Sequence, residues 1–231
     1  MDLPSAQVID ILAAKGVEQI HHANSVLTSS QFLRKASLLS RGTVARRRLF
    51  QTPQKSDELD RKFSLWFDVF TDSVDIHDRA RTANLYGPVL FVLGLEQLRK
   101  MYKGRLWVTK LNPTKCEDKK DDHRWFRSIG ELKERFTVGT FDQMVVFRHS
   151  GGELPIKSCL TKIILDDPHH TYNAAGKGSD VFSMAYGALL VSMTEGGIDV
   201  PIEKRICPNG CKCQERFNKG SFVNDMFLPI P

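Results

Sequence analysis

Two adjacent histidines, His21 and His22, stand near the beginning of the chain and are followed by Asn24. Imidazole and carboxamide groups exchange hydrogen bonds with neutral polar molecules, so these side chains suit the binding of hydroxyl and amide groups. The apolar residues before them predict a short strand at 17–22, and Thr28, three residues before a glutamine, has the form of a helix-opening capping box. His22 could equally be a core residue, an alternative that stays open.

Two later residues could complete such a site. Tyr86 precedes a Gly-Pro pair in the apolar segment 84–93, which predicts a buried strand, and Glu153 follows a Gly-Gly turn. The alternatives are that Tyr86 only closes a strand and that Glu153 is a surface residue beside a hairpin.

The positive charge of the chain is concentrated in one segment. The formal net charge is +6, and the fifteen residues from Arg34 to Arg48 hold six basic side chains and no acid. Such a segment favours contact with a polyanion, and Arg46, Arg47 and Arg48 are predicted to bind nucleic acid. Arg41 and Arg46 could each hold a phosphate of a cofactor or of a nucleic acid. The alternative is a solvated surface that binds nothing.

Two groups of residues could hold a metal ion. Asp72, Asp75 and His77, with Arg79 nearby, could ligate a metal or supply a general base, and a loop with internal ion pairs is the alternative.

Three of the five cysteines form the second group, and they fall in the short segment C-P-N-G-C-K-C, as Cys207, Cys211 and Cys213. Three thiolates could make most of a tetrahedral zinc site, but this spacing is unusual and no histidine follows it. No metal is therefore expected.

The chain of 231 residues is long enough for one domain with a sizeable core, and its short strands mixed irregularly with helices predict the α+β class. We predict a single domain over 1–231, with a core at about 17–168 and a C-terminal helix and irregular tail at 169–231. Residues 40–56 are predicted to form a long surface loop. No segment is apolar enough to span a membrane and the N-terminus does not look like a signal peptide, so a cytoplasmic location and no membrane partner are expected.

Several common active-site motifs are absent. The sequence contains no G-x-G-x-x-G and no G-x-x-x-x-G-K-[ST], which excludes the usual Rossmann and phosphate-loop fingerprints. It also contains no G-x-S-x-G and no H-E-x-x-H, which argues against standard serine hydrolases and zincins.

The order of a histidine strand, a basic loop, a tyrosine strand and a late glutamate resembles the His-Tyr-Glu branch of the ADP-ribosyltransferase superfamily. The distance from His22 to Leu38-Leu39-Ser40 is similar to that in the DarT-like toxins, which modify nucleic-acid bases, although Ser37 stands where that family has a glycine. The resemblance implies an ADP-ribosyltransferase-like split β-sandwich of two small sheets with flanking helices. It also implies that NAD is a co-substrate bound in a crevice between the sheets.

The resemblance also implies a role for each candidate. His22 would bond the adenosine-side ribose of NAD, Asn24 would lie near the nicotinamide amide, and Tyr86 would stack on the nicotinamide ring. Glu153 would bond the nicotinamide-ribose 2′-hydroxyl as the catalytic carboxylate. A shifted alignment would put Met144 in the catalytic position instead, and this would require an inactive or rewired site.

The predicted function is therefore that of an NAD-dependent mono-ADP-ribosyltransferase toxin that modifies bases of DNA or RNA. A single-stranded or flipped base is expected, because pairing hides its amine. The setting would be a toxin–antitoxin or phage-defence system, with an antitoxin as a possible partner. Two alternatives stay open: a metal-dependent nuclease that uses Asp72, Asp75 and His77, and a non-catalytic basic module that binds nucleic acid.

Overall fold

The structure is a computed structural model that describes residues 1–77, 85–112, 123–174, 177–208 and 211–229. Helices and strands alternate irregularly along the described chain, which confirms the α+β prediction. The strands are β1 (Leu3–Pro4), β2 (Gln19–Asn24), β3 (Ser37–Leu39), β4 (Val69–Asp72), β5 (Val89–Gly94), β6 (Arg105–Val108), β7 (Met144–Phe147), β8 (Glu153–Pro155), β9 (Leu160–Asp166), β10 (Thr171–Ala174), β11 (Lys177–Asp180) and β12 (Ile202–Arg205).

One large sheet organises the fold. Its eight strands lie in the order β1-β6-β7-β4-β2-β5-β9-β12, and two further two-stranded sheets pair β3 with β8 and β10 with β11. The expectation of two small sheets is corrected, because hydrogen bonds connect all eight strands. Between β2 and β4, however, the register has a single residue pair, His21 with Asp72, whereas β2 pairs with β5 over its whole length. The sheet is therefore weakly joined at this one position.

The described residues also form helices, which occur from the N-terminal to the C-terminal part of the chain. They are α1 (Ser5–Ala14), α2 (Val26–Arg34), α3 (Arg41–Arg46), α4 (Asp57–Lys62), α5 (Leu95–Met101), α6 (Ile129–Arg135), α7 (Val181–Gly196), α8 (Cys213–Phe217) and α9 (Gly220–Phe227). No helix of these ranges is long and apolar enough to cross a lipid bilayer.

Local capping explains where the helices beside β2 and β3 begin. The Ser25 side chain accepts a hydrogen bond from the backbone N–H of Thr28, so α2 begins three residues earlier than the capping-box prediction. Ser40 caps α3 in the same way, by accepting from the N–H of Thr43 at 3.1 Å. The prediction of a loop over 40–56 was wrong at its start, because this cap opens a helix there.

The main apolar core lies around the large sheet and extends beyond the predicted 17–168. It takes in Val8 and Leu12 from α1, and Leu189 and Met193 from α7. The prediction of one domain over 1–231 stays a prediction.

The predicted irregular tail contains regular structure. After α7 the chain adds β12 to the edge of the large sheet, parallel to β9, and ends in α8 and α9. Phe217, Val223 and Phe227 of these helices form a smaller buried cluster with Cys207 and Cys213. The C-terminal segment therefore packs on its own chain.

Candidate functional site

A cavity opens at the weak junction between β2 and β4. About 950 Å³ of atom-free space, open solvent at the mouth included, lies within it. His21, Asp72 and Met144 are consecutive partners across β2, β4 and β7, and all three line the cavity. The remaining walls come from the start of α3, from α4 and from the turn before β5.

His22 lies on the β2 wall, and its tautomer follows from one contact. Its Nδ1 lies 2.8 Å from the carbonyl oxygen of Phe70, which can only accept, so Nδ1 carries the proton. The ring packs against Phe32 and Phe91, and burial lowers the pKa of His22 although the bond to Phe70 opposes that shift. His22 is therefore neutral, and its buried Nε2, which lacks a hydrogen-bond partner among the described residues, is an acceptor.

Asn24 and Tyr86 share the neighbouring wall because Gly87 brings their backbones together. Gly87 has a φ of +138°, and a Cβ placed on it would lie 2.1 Å from the carbonyl carbon of Asn24. Only glycine tolerates both conditions. Asn24 is buried, and its Oδ1 accepts a hydrogen bond from the N–H of Ser25 at 3.0 Å, so its amide N–H groups are what it can offer a ligand.

Arg41 lines the cavity at the first residue of α3, but much of its hydrogen-bonding capacity is in use. Its Nε and Nη2 donate to the two carboxylate oxygens of Asp57 at 2.8 and 2.6 Å, and its Nη1 donates to the carbonyl of Thr52 at 2.9 Å. Its charge is therefore offset by Asp57. Three of its five N–H donors are engaged, which leaves two for a bound anion.

Three acidic residues line the cavity, and two of them have a raised pKa. Burial raises the pKa of Asp68 to about 7, even though its carboxylate accepts a hydrogen bond from Arg148 at 2.8 Å. Burial also raises the pKa of Asp60 to about 6. Asp72 is the third acid. Carboxyl groups that titrate close to neutrality in a cavity are candidates for proton transfer.

Comparison with solved structures finds DarT of Thermus sp. 2.9 in complex with ADP-ribosylated single-stranded DNA, with a TM-score of 0.52 and 12% sequence identity, over 82% of this chain and 95% of that chain. The chain has a DarT-like fold. At this identity the similarity shows the fold alone. Comparison with protein-family models and with curated proteins gives no match.

Glu153 does not line the cavity with the predicted NAD-binding residues. His22, Asn24, Arg41 and Tyr86 all line the cavity, whereas Glu153 does not. It lies on β8 opposite Leu39, and its Oε2 accepts a hydrogen bond from Arg47.

Met144 lines the cavity at the position that the shifted alignment assigned to the catalytic residue. A thioether cannot stabilise a cation as a carboxylate does, but the partner of Met144 on β4 is Asp72. The cavity wall therefore does contain a carboxylate, which lies on β4 beside Met144 of β7.

Three exposed arginines at the end of α3 do not line the cavity. Arg46 places its guanidinium 5.5 Å from the centre of the Phe67 ring, Arg47 is paired with Glu153, and Arg48 follows Arg47 at the surface. They are therefore distinct in space from Arg41, which lines the cavity.

The predicted metal constellation is divided by the structure. Asp72 lines the cavity, Asp75 pairs with Arg205, and the Nε2 of His77 lies 3.2 Å from the Sγ of Cys207. Arg79 lies outside the described residues. The three ligand candidates therefore do not converge on one ion, which removes the geometric basis of the nuclease alternative.

Sequence reasoning missed Asp60 and Asp68 as cavity residues. Asp60 lies on α4, and Asp68 comes directly before β4. The one signal that could have found Asp68 is an acid at the entrance of an apolar strand. Nothing in the local sequence distinguishes Asp60 from the other acids of α4.

Proposed function

We propose that this chain is an NAD-dependent ADP-ribosyltransferase that modifies a base of single-stranded nucleic acid. The observation that carries the proposal is that His22 and Asn24 of β2, Arg41 of α3 and Tyr86 before β5 come from three separate parts of the sequence and line one cavity. The DarT-like fold supports it, since the DarT structure holds ADP-ribosylated single-stranded DNA.

The cavity groups have the chemistry that NAD requires. The Nε2 of His22 accepts a hydrogen bond from a ribose hydroxyl, and the ring of Tyr86 stacks on the cationic nicotinamide. The amide of Asn24 donates to the nicotinamide carboxamide. Arg41 contributes its two remaining N–H donors to the pyrophosphate while Asp57 keeps its guanidinium oriented.

Asp72 is the carboxylate that we propose for catalysis. The bond between C1′ of the nicotinamide ribose and the ring nitrogen breaks, and its electron pair goes to the nitrogen of the departing nicotinamide. The positive charge left on the ribose is stabilised by a carboxylate fixed nearby. Glu153, the candidate from the sequence, would first have to leave Arg47 and reach the cavity from β8.

In the second half of the reaction, the acceptor base reacts with the ribose. A nitrogen of the base attacks C1′, forms the new glycosidic bond and loses a proton. Asp60 and Asp68 are suited to accept that proton, because their raised pKa values of about 6 and about 7 lie close to neutrality. Arg46 and Arg48 hold the phosphates of the acceptor strand outside the cavity.

The acceptor is single-stranded because a paired, stacked base cannot present its ring nitrogen or amine to a cavity. DNA is the first choice of probe, and RNA is tested beside it. An intracellular toxin role, a cytoplasmic location and an antitoxin partner belong to this proposal and rest on the resemblance alone.

The decisive experiment uses labelled NAD with single-stranded DNA, duplex DNA and RNA of mixed sequence. We expect label on a single-stranded acceptor, a mass increase of one ADP-ribose on the oligonucleotide, and little label on the duplex. D72N should lower the rate of transfer roughly 100-fold to 1000-fold, whereas E153Q should keep most of it. Loss of transfer in E153Q alone would return the catalytic role to Glu153, and no label on any acceptor would refute the transferase.

A second candidate function is that of a protein that binds nucleotide and nucleic acid without catalysis. It is favoured by Met144 in the cavity wall and by the pairing of Glu153 with Arg47. Calorimetry with NAD separates the two: binding of NAD that H22A weakens, with neither transfer nor release of nicotinamide, supports the non-catalytic protein.

A further inference from the structure

Four side chains that commonly ligate zinc meet at one place outside the cavity. His77 comes from the segment after β4, Cys207 follows β12, and Cys211 and Cys213 lie at the beginning of α8. Their ligand atoms all lie within 4.8 Å of one another. We call these four residues the cysteine cluster.

The distances within the cysteine cluster fit a tetrahedral ion. The Nε2 of His77 lies 3.2 Å from the Sγ of Cys207 and 3.7 Å from the Sγ of Cys211, and the Sγ atoms of Cys211 and Cys213 are 3.0 Å apart. Zinc bonds of about 2.0 to 2.3 Å place the ligand atoms of a tetrahedron roughly 3.3 to 3.8 Å apart. A small adjustment of the side chains would therefore admit the ion.

We propose that His77, Cys207, Cys211 and Cys213 bind a structural zinc ion. Three thiolates and one imidazole form a common closed ligand set, and four protein ligands leave no open position for a substrate. The spacing of the three cysteines predicted no metal, because no histidine follows them in the sequence. The ligand precedes Cys207 by 130 residues.

The surroundings hold the ligands in place. His77, Cys207 and Cys213 are buried, the last completely. The backbone N–H of His77 donates to Oδ1 of Asp75 at 2.8 Å, and Arg205 bonds both Asp75 and Asp166. These contacts attach the end of β12 to the segment after β4, so two of the ligand-bearing segments are joined independently of the ion.

The position of the cysteine cluster indicates what the ion would do. The apolar cluster of the C-terminal helices includes Cys207 and Cys213, together with Phe217, Val223 and Phe227. A zinc ion would fasten this small cluster to the segment at 73–77, whose Ile76 lines the cavity. The ion is therefore expected to stabilise the C-terminal region and one wall of the cavity.

The test begins with the full chain purified without chelator, followed by elemental analysis and titration with Co²⁺. We expect about one zinc ion per chain, and a cobalt form with strong tetrahedral ligand-field bands and sulfur-to-cobalt charge transfer. C213S and H77Q should lose the metal, whereas C159S, a change at a buried cysteine outside the cluster, should keep it.

A second measurement covers the case in which the cluster variants fail to fold. Chelation of the wild-type chain should release zinc to a colorimetric reagent and lower the melting temperature by roughly 5 °C or more, reversibly on addition of zinc. A wild-type chain that contains no metal and takes up neither Zn²⁺ nor Co²⁺ would overturn the proposal. So would a disulfide among the three cysteines in the protein as isolated, or equal loss of metal in C159S.

Discussion

Asp72 and His77 lie five residues apart, yet Asp72 lines the cavity beside β2 and His77 contacts Cys207 in the cysteine cluster. The two regions are built differently. Polar residues from several separate parts of the chain line the cavity, and the Nε2 of His22 lacks a hydrogen-bond partner among the described residues. In the cysteine cluster the four ligand atoms face one another. The first arrangement has room for a molecule and the second has room for an ion.

One short segment contributes residues to both regions. The chain leaves the large sheet after Asp72, which lines the cavity. Asp75 then pairs with Arg205, and His77 contacts Cys207. The cysteine cluster itself lies outside the cavity, so damage to a cavity wall away from residues 72–77 should leave the cluster intact, and the predictions below test this.

The largest expected effect comes from G87A. The new Cβ would lie 2.1 Å from the carbonyl carbon of Asn24, at a φ of +138° that disfavours any side chain. Strain and overlap together should cost roughly 4 kcal/mol of unfolding free energy and displace Tyr86 from the cavity wall. Urea denaturation measures the loss, and NAD titration should show binding abolished.

G151A is the matched control for that change. Gly151 also has a positive φ, of +74°, but a Cβ there would meet nothing within 4 Å. It should cost about 1 kcal/mol and leave NAD binding intact. Loss of bound metal from folded G87A protein would show that the cysteine cluster depends on the cavity wall.

Short-range chemistry explains what could be predicted from the sequence. Apolar runs identified β2 and β5, although not their ends, and His22, Asn24 and Tyr86, which lie on or just before those strands, do line one cavity. The existence of a strand is set by local pattern, so the residues on it or beside it are placed together when the two strands pair. The start of α2 was wrong because Ser25, Thr28 and two following serines are all possible caps.

Long-range pairing explains what could not be predicted. Met144 lines the cavity on β7, which pairs with β4, whereas Glu153 lies on β8, which pairs with β3. The histidine of the cysteine cluster lies 130 residues before Cys207, and the sequence contains seven histidines that could have been this partner. No local pattern selects among such partners. The continuous eight-stranded sheet could likewise not be predicted from the sequence, because a single residue pair between β2 and β4 completes it.

The second prediction concerns pH and the buried acids of the cavity. Burial raises the pKa of Asp68 to about 7, above the value of about 3.9 in an unfolded chain. Between these values the folded state binds more protons, so the free energy of unfolding should fall as pH rises from about 4 to 7 and then level off. The expected fall is roughly 2 kcal/mol, and melting temperatures across this range measure it.

D68N should flatten that pH dependence without removing it. Asp60 titrates in the same window, with a pKa raised to about 6, so part of the slope remains. Loss of the bond to Arg148 lowers stability at every pH and does not affect the comparison of slopes. Parallel curves for D68N and the wild type would show that Asp68 does not titrate in this window.

The smallest effect is expected at Arg47 and Arg48, which are exposed and do not line the cavity. Arg48 is exposed at the end of α3, whereas the charge of neighbouring Arg47 is already offset by Glu153. R48Q should weaken binding of single-stranded DNA by less than about 1 kcal/mol and lower the slope of log affinity against log salt by about 0.7, the value for one phosphate contact. R47Q is the matched control and should change that slope less, because binding through Arg47 must first break an ion pair. Metal content should be unchanged in both. Equal slopes for the two variants would mean that Glu153 releases Arg47 when nucleic acid binds, and that release would also free the Glu153 carboxylate to act at the cavity.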